Sequence, residues 1–213
     1  LVRDRFGIKP LYWTMTSEGL VFGSELKVLF AHPAVKRDFS SEGLFHQLMQ
    51  TMVPGSTAFA GIFQVQPGHV VKVQRQGGLL RTSGHKYWDL DFPKADERDP
   101  AISEEEHIKA IRSSLLEAIE MRLVADVPVG CYLSGGIDSC SILGLAAAVN
   151  QSPIKAFTIG FDDSRYDETD IAKEMAEATD AEQDVMRLSG DDLYDHFETC
   201  LLYTSDAADD SYR

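Results

Sequence analysis

The sequence predicts an α/β protein in two parts, an α+β first half and a second half built on a parallel sheet. Three observations carry that reading. Up to residue 88 the apolar runs are short and broken by turn residues. From Ser103 onward, strand-like segments alternate with helical patterns, and their starts lie roughly 25 to 30 residues apart, the spacing of strand–helix–strand units with right-handed crossovers. Between the two parts, residues 89–103 are polar, contain Pro93 and Pro100, lack periodicity and read as a linker.

In the first part, Leu11–Thr16 and Leu20–Gly23 flank Ser17-Glu18-Gly19 and read as a hairpin. Ser24–Phe30 reads as a helix. Ser40-Ser41-Glu42-Gly43 opens a second helix over Leu44–Met52, which Pro54-Gly55 ends. Val65–Val73 alternates around Pro67-Gly68, giving a turn and a strand.

In the second part, Ser103 and Glu106 form a capping box, each able to satisfy a free amide of the other. Ile108, Ile111, Leu115, Ile119 and Leu123 follow at helical spacing, so an amphipathic helix is expected. Pro128 bars its continuation. A strand is expected at Val129–Leu133, then a glycine turn and a helix over Asp138–Val149. A strand at Ile154–Phe161, a helix at Glu168–Ala178, a strand at Gln183–Leu188 and a helix at Asp191–Leu202 complete the alternation. Residues 203–213 are small, acidic and aperiodic and form a tail of doubtful origin. Three strands make a thin sheet, and the chain opens directly on the dense string RDRFGIKPLY. The expectation is therefore a fragment of a longer protein.

Composition narrows the function classes. The 213 residues carry 34 acidic against 20 basic side chains, a net charge of −14. That argues against a nucleic-acid binder, which needs clustered Lys and Arg. It leaves room for a bound nucleotide, because backbone amides and a metal ion can hold phosphates. Cys131, Cys140 and Cys200 show neither disulfide nor zinc spacing, which fits a reducing compartment. No apolar run reaches the roughly 18 residues of a membrane span, and no secretory signal pattern stands at the start. A cytoplasmic protein with no membrane partner is expected.

The sharpest chemical signal is Ser134-Gly135-Gly136-Ile137-Asp138-Ser139, at the junction of an expected strand and an expected helix. Two glycines let the backbone turn tightly and approach a ligand. The following helix start offers free amides and a partial positive charge, which suits pyrophosphate. Ser134 and Ser139 add hydroxyl donors. Asp138 would repel a bare phosphate, so its presence implies Mg²⁺ between carboxylate and phosphates. The string is neither a GK[ST] P-loop nor a GxGxxG fingerprint. The bland alternative is a β-turn with Asp138 as a helix cap.

SGGIDS resembles the pyrophosphate-binding loop of the N-type ATP pyrophosphatases. The preceding RLVADVPVGCYL resembles the lead-in of glutamine-hydrolysing asparagine synthetases, and RDRFGIKPLYW, FGSELKVL, PGHVVKV and YWDL are similar to the second half of that family's glutaminase domain and its run-out. The resemblance implies that residues 1–88 are part of an Ntn-hydrolase glutaminase domain and residues 104–202 the start of an ATP pyrophosphatase domain. The family's catalytic nucleophile, an N-terminal cysteine, has no counterpart here, so no catalytic residue is named. Asp4, in the RDxxG string, is implied to hold the α-amino group of glutamine; taken alone, it is a turn residue in an Arg3-Asp4-Arg5 cluster. Leu133, Ser134, Gly135, Gly136, Asp138 and Ser139 match the ATP site. Ile159 matches a position whose backbone meets adenine, and alone reads as a buried strand residue. The motif's usual final Ser is Cys140 here, a weaker donor, which implies one phosphate hydrogen bond fewer.

Weaker candidates follow. Asp162, Asp163, Asp167 and Glu168 lie just past the second strand of the sheet, where they could approach Mg²⁺ or substrate or simply face solvent. His32, His46, His69, His85, His107 and His196 show no metal-ligand pairing. Cys131 reads as a small core residue, and Glu104-Glu105-Glu106 as charges complementing a helix dipole. The implied function is ATP-dependent amidation of aspartate through an acyl-adenylate, with ammonia from glutamine, and ATP and Mg²⁺ as cofactors. The family is compatible with a homodimer of the longer protein. The alternatives are a related amidotransferase acting on another carboxylate and, for these residues alone, a nucleotide-binding module without turnover.

Overall fold

The computed structural model describes residues 1–51, 53–97, 102–192 and 194–197. The described residues fall into two units, 1–92 and 93–197.

In the first unit, β1 (Tyr12–Met15) and β2 (Leu20–Gly23) form the expected antiparallel hairpin, with Tyr12 opposite Gly23 and Met15 opposite Leu20. A short strand absent from the sequence reading, β3 (Ile62–Gln64), pairs with the other edge of β1. Its three residues are too few to show alternation. Strands β4 (His69–Gln76) and β5 (Leu79–Lys86) form a second antiparallel pair. They are joined by Gly77 and Gly78 at φ 58° and 83°, the left-handed conformation that a two-residue hairpin turn demands. Only the first half of β4 was expected as strand, and β5 not at all, because its residues after two leucines are polar.

Helix α1 (Leu26–Phe30) buries Leu29 completely. Helix α2 (Ser41–Leu48) starts earlier than expected, because the Ser40 hydroxyl accepts from the Gly43 amide and caps it. It also stops before the expected end. Gln50 turns left-handed at φ 53°, and the Thr51 and Gln50 amides donate back to the His46 and Gln47 carbonyls, a Schellman ending without glycine. Met52 lies outside the described residues. Leu29, Ile62 and Val65, with Thr14, are the buried residues around which the first sheet packs.

In the second unit, α3 (Glu104–Leu123) begins with the expected capping box of Ser103 and Glu106. Then follow β6 (Gly130–Tyr132), α4 (Ile137–Val149), β7 (Lys155–Phe161), α5 (Thr169–Ala178) and β8 (Glu182–Leu188). The strands form a parallel sheet in the order β6-β7-β8. Residues 190–192 and 194–197 are helical, capped by Ser189 and Asp192; the remainder of that expected helix and the tail lie outside the described residues.

The core of this unit joins Leu133, Leu143, Ala146, Ile154, Ala156, Ala172 and Ala176. Strand β7 alternates strictly: Ala156, Thr158 and Gly160 are buried, while Phe157, Ile159 and Phe161 are exposed. The small set packs towards α4 and α5, and the large set forms an open face with Tyr132 and Met186. Parallel sheets usually have both faces covered; among the described residues one face is bare. Among the described residues, helix α3 reaches the core through Ile119 and Leu123. Its Ile108, Ile111 and Leu115 remain exposed beside α4.

Candidate functional site

The SGGIDS string occupies the turn between β6 and α4. Leu133 is buried in the core, and its amide donates to the Phe157 carbonyl at 2.8 Å, so its side chain faces away from any ligand. Gly135 has φ 83°, and a Cβ there would lie 3.1 Å from the Glu168 carbonyl oxygen and 3.3 Å from Ile171 Cβ. Glycine is therefore required twice, by conformation and by the approach of α5. Gly136, at φ −70°, is the N-cap of α4, and no side chain caps that helix. The first-turn amides of α4 thus face outward without an intrahelical acceptor, and the helix dipole adds positive potential there.

In the structure the two serines, expected as donors to a phosphate, bond to each other. Ser134 N–H donates to Ser139 Oγ at 3.2 Å, the two hydroxyls are 3.1 Å apart, and Ser139 Oγ donates to the Gly136 carbonyl at 3.0 Å. These contacts close the loop and hold its shape, while the first-turn amides of α4 remain as outward donors. Asp138 sits exposed in the first turn of α4. Cys140 packs against the core cluster instead of the loop's open side.

Ile159 lies on β7, next to β6. It stands two residues past the last β6–β7 pair, Tyr132 opposite Phe157. It is the fifth of seven strand residues, and instead of being buried it is half exposed on the open face. There it lines a groove of about 390 Å³ with Tyr132, Phe157 and Met186. These three companions escaped the sequence reading, although the small–large alternation of Lys155–Phe161 was there to be seen.

The acidic candidates divide. Asp162, Asp163, Tyr166 and Glu168 line a cavity of about 680 Å³ at the carboxyl ends of β7 and β8. The Arg165 guanidinium forks onto both Asp163 oxygens at 2.6–3.1 Å and holds that carboxyl below the usual aspartate range. Burial pushes the Asp167 carboxyl up, but the Thr169 hydroxyl and amide, with Arg187 nearby, pull it below its ordinary value. Both carboxylates therefore already have partners in the chain. Among the described residues, no three His, Cys, Asp or Glu side chains stand together as a metal site.

In the first unit, Asp4 organises a tight turn. Its Oδ1 accepts from the Ile8 amide at 3.0 Å and its Oδ2 from the Lys9 amide at 3.1 Å. Burial raises its pKa, but the amides of Lys9, Ile8, Phe6 and Gly7 outweigh that and hold the carboxyl below its ordinary value. The geometry is that of a turn residue; the donated amides keep the half-buried carboxylate charged, and each oxygen retains further acceptor capacity. The sequence reading missed Arg3, which binds the same turn.

A chain with an α+β unit followed by a parallel-sheet unit, and a glycine loop where β6 meets α4, is compared with known proteins on both halves. The family described as glutamine amidotransferase domain matches residues 1–88, and the family described as asparagine synthase matches residues 110–211. An amidase of Gibberella zeae is 33% identical over 216 residues, covering 95% of this chain and 31% of the relative. An amidase of Penicillium rubens is 34% identical over 95% of this chain and 31% of its own length. Asparagine synthetase (glutamine-hydrolyzing) 3 of Bacillus subtilis is 30% identical over 94% of this chain and 34% of its own length. The chain spans about a third of the length of these relatives. It belongs to the glutamine-hydrolysing asparagine synthetase family. No helix among the described residues is long and apolar enough to cross a membrane.

Proposed function

We propose that this chain is part of a glutamine-dependent amidotransferase in which the second unit binds Mg-ATP and the first contributes to holding glutamine. The observation that carries the nucleotide reading is the start of α4: an uncapped helix end, behind a glycine at φ 83°, on a loop closed by its own serines. Backbone amides at such a helix end recognise phosphate without basic side chains. In the proposed reaction a carboxylate is activated as an acyl-adenylate, pyrophosphate leaves, and ammonia from glutamine displaces AMP. The loop's part is to hold pyrophosphate as charge develops on it, with donors fixed beforehand by the Ser134–Ser139 contact.

The donor set fits Mg²⁺ only together with phosphate. Asp138 is an exposed carboxylate that joins no group of three metal-ligating side chains among the described residues, so phosphate oxygens would supply the other ligands. Mg²⁺ would there neutralise the charge that Asp138 and the phosphates present to each other. Asp4, in the other unit, would receive the α-ammonium of glutamine.

The experiment is equilibrium binding of Mg-ATP to the 213-residue chain by calorimetry. Weak binding is expected, and Asp138→Ala should abolish it; unchanged binding in that variant removes the loop from the reading. No glutamate from glutamine and no pyrophosphate from ATP with aspartate is expected of this chain, and turnover of either kind would contradict that.

A second reading concerns the acceptor. The two fungal relatives named as amidases match this chain at 33% and 34% identity, against 30% for the bacterial synthetase. A carboxylate other than aspartate therefore stands equally well, and product analysis of the longer protein would decide between them.

A further inference from the structure

We propose that Arg3 is the positioning residue of the Asp4 turn, its guanidinium fixing the conformation in which Asp4 presents its carboxylate. The proposal rests on the reading of Asp4 as the receiver of an ammonium group. Arg3 is 8% exposed, the most deeply placed cation of the first unit. Its partners are carbonyls: Nη2 donates to Gly7 O at 2.8 Å, Nε to Lys9 O at 3.1 Å and Nη1 to Val65 O at 2.8 Å.

Two of those carbonyls belong to the turn that Asp4 holds by its amides. The Gly7–Ile8 peptide is gripped at both ends, its carbonyl by Arg3 and its N–H by Asp4. Lys9 is gripped the same way, carbonyl by Arg3 and amide by Asp4. The third carbonyl ties the assembly to Val65, which is 1% exposed in the core. Gly7 makes the packing possible: at φ 65°, a Cβ there would stand 3.0 Å from Arg3 Cζ and 2.7 Å from Pro67 Cγ. The Arg3 backbone is anchored as well, its amide to His69 O and its carbonyl by the Tyr87 hydroxyl at 2.7 Å.

A buried cation is tolerable only when its donors are satisfied. The planar fork of arginine reaches three separate carbonyls, which the compact ammonium of lysine cannot. Arg3, Asp4 and Gly7 are thus three parts of one device: a cation on the carbonyls, an anion on the amides, and a missing side chain between them.

The test is NMR of the 213-residue chain. The Asp4 carboxyl carbon is titrated in the wild type and in Arg3→Lys, which keeps the charge and loses the fork. The expected result is an upward move of the Asp4 midpoint in Arg3→Lys, together with displaced Ile8 and Lys9 amide resonances. Wild-type values for both would overturn the proposal. Should the variant not fold, the wild type answers alone: an Arg3 Nε–H protected from solvent exchange is expected, and exchange at the rate of free arginine would overturn it. The glutamine reading fails separately, on an unchanged glutamine KM for Asp4→Asn in the longer protein, whatever the Arg3 titration shows.

Discussion

Two neighbouring glycines in the β6–α4 loop are not equivalent. Gly135 has φ 83° and close neighbours on α5, whereas Gly136 has an ordinary φ of −70° and only the Ser134 hydroxyl near, at 3.4 Å. Gly135→Ala is expected to destabilise the second unit by about 1–3 kcal/mol, and Gly136→Ala by less than about 1 kcal/mol, as read by urea unfolding. Asp4 gives a prediction in pH. Its folded pKa lies below the ordinary value, so the folded state takes up the proton less readily than the unfolded chain. The stabilisation is complete above the ordinary aspartate pKa of about 3.9 and disappears as pH falls through the lower folded value. Asp4→Asn should therefore flatten the acid limb of a stability-against-pH curve while lowering stability at neutral pH. The glycine requirement at Gly135 was legible in the sequence because the motif announces a turn. Arg3 was not, because its partners are backbone carbonyls, one of them 62 residues away at Val65, and carbonyls carry no residue code.

Among the elements, those with both a periodic pattern and a chemical punctuation mark were read to within a residue or two. The N-terminus of α3 is the clearest: Ser103 and Glu106 satisfy each other's amides as their spacing implies. Ser103→Ala should cost about 1 kcal/mol and speed amide exchange through Glu104–His107, leaving β7 protected. If exchange in that turn is unaltered, the cap contributes nothing. The elements that escaped, β3 and β5, lack either mark. Strand β5 pairs along its full length with β4, but its exposure on both sides erases the alternation by which a strand is recognised. The Gly77-Gly78 pair was the remaining signal. The early end of α2 was illegible for another reason, since Gln50 takes a left-handed conformation that its residue type does not favour.

For the whole molecule, the sequence reading holds in its coarsest terms: strands and helices alternate after residue 103, and the sheet they build is parallel. What it could not foresee is the face of that sheet that no described residue covers, because alternation states which residues share a face and not what lies upon it. Tyr132, Phe157, Ile159 and Met186 make an apolar surface of the kind that binds hydrophobic dyes or other surfaces. Met186→Lys is expected to reduce anilinonaphthalene-sulfonate fluorescence without shifting the unfolding midpoint, since Met186 is already 63% exposed. Equal dye binding in both proteins would mean that the face is not the site of capture. The order β6-β7-β8 has a consequence of its own for how the chain is made. Position across the sheet follows position along the chain, and translation delivers the strands in that sequence. Among the described strands, each new one meets a finished neighbour after one helical crossover. Loop closure stays short at every step, contacts stay local, and the sheet can grow by one edge at a time as it leaves the ribosome.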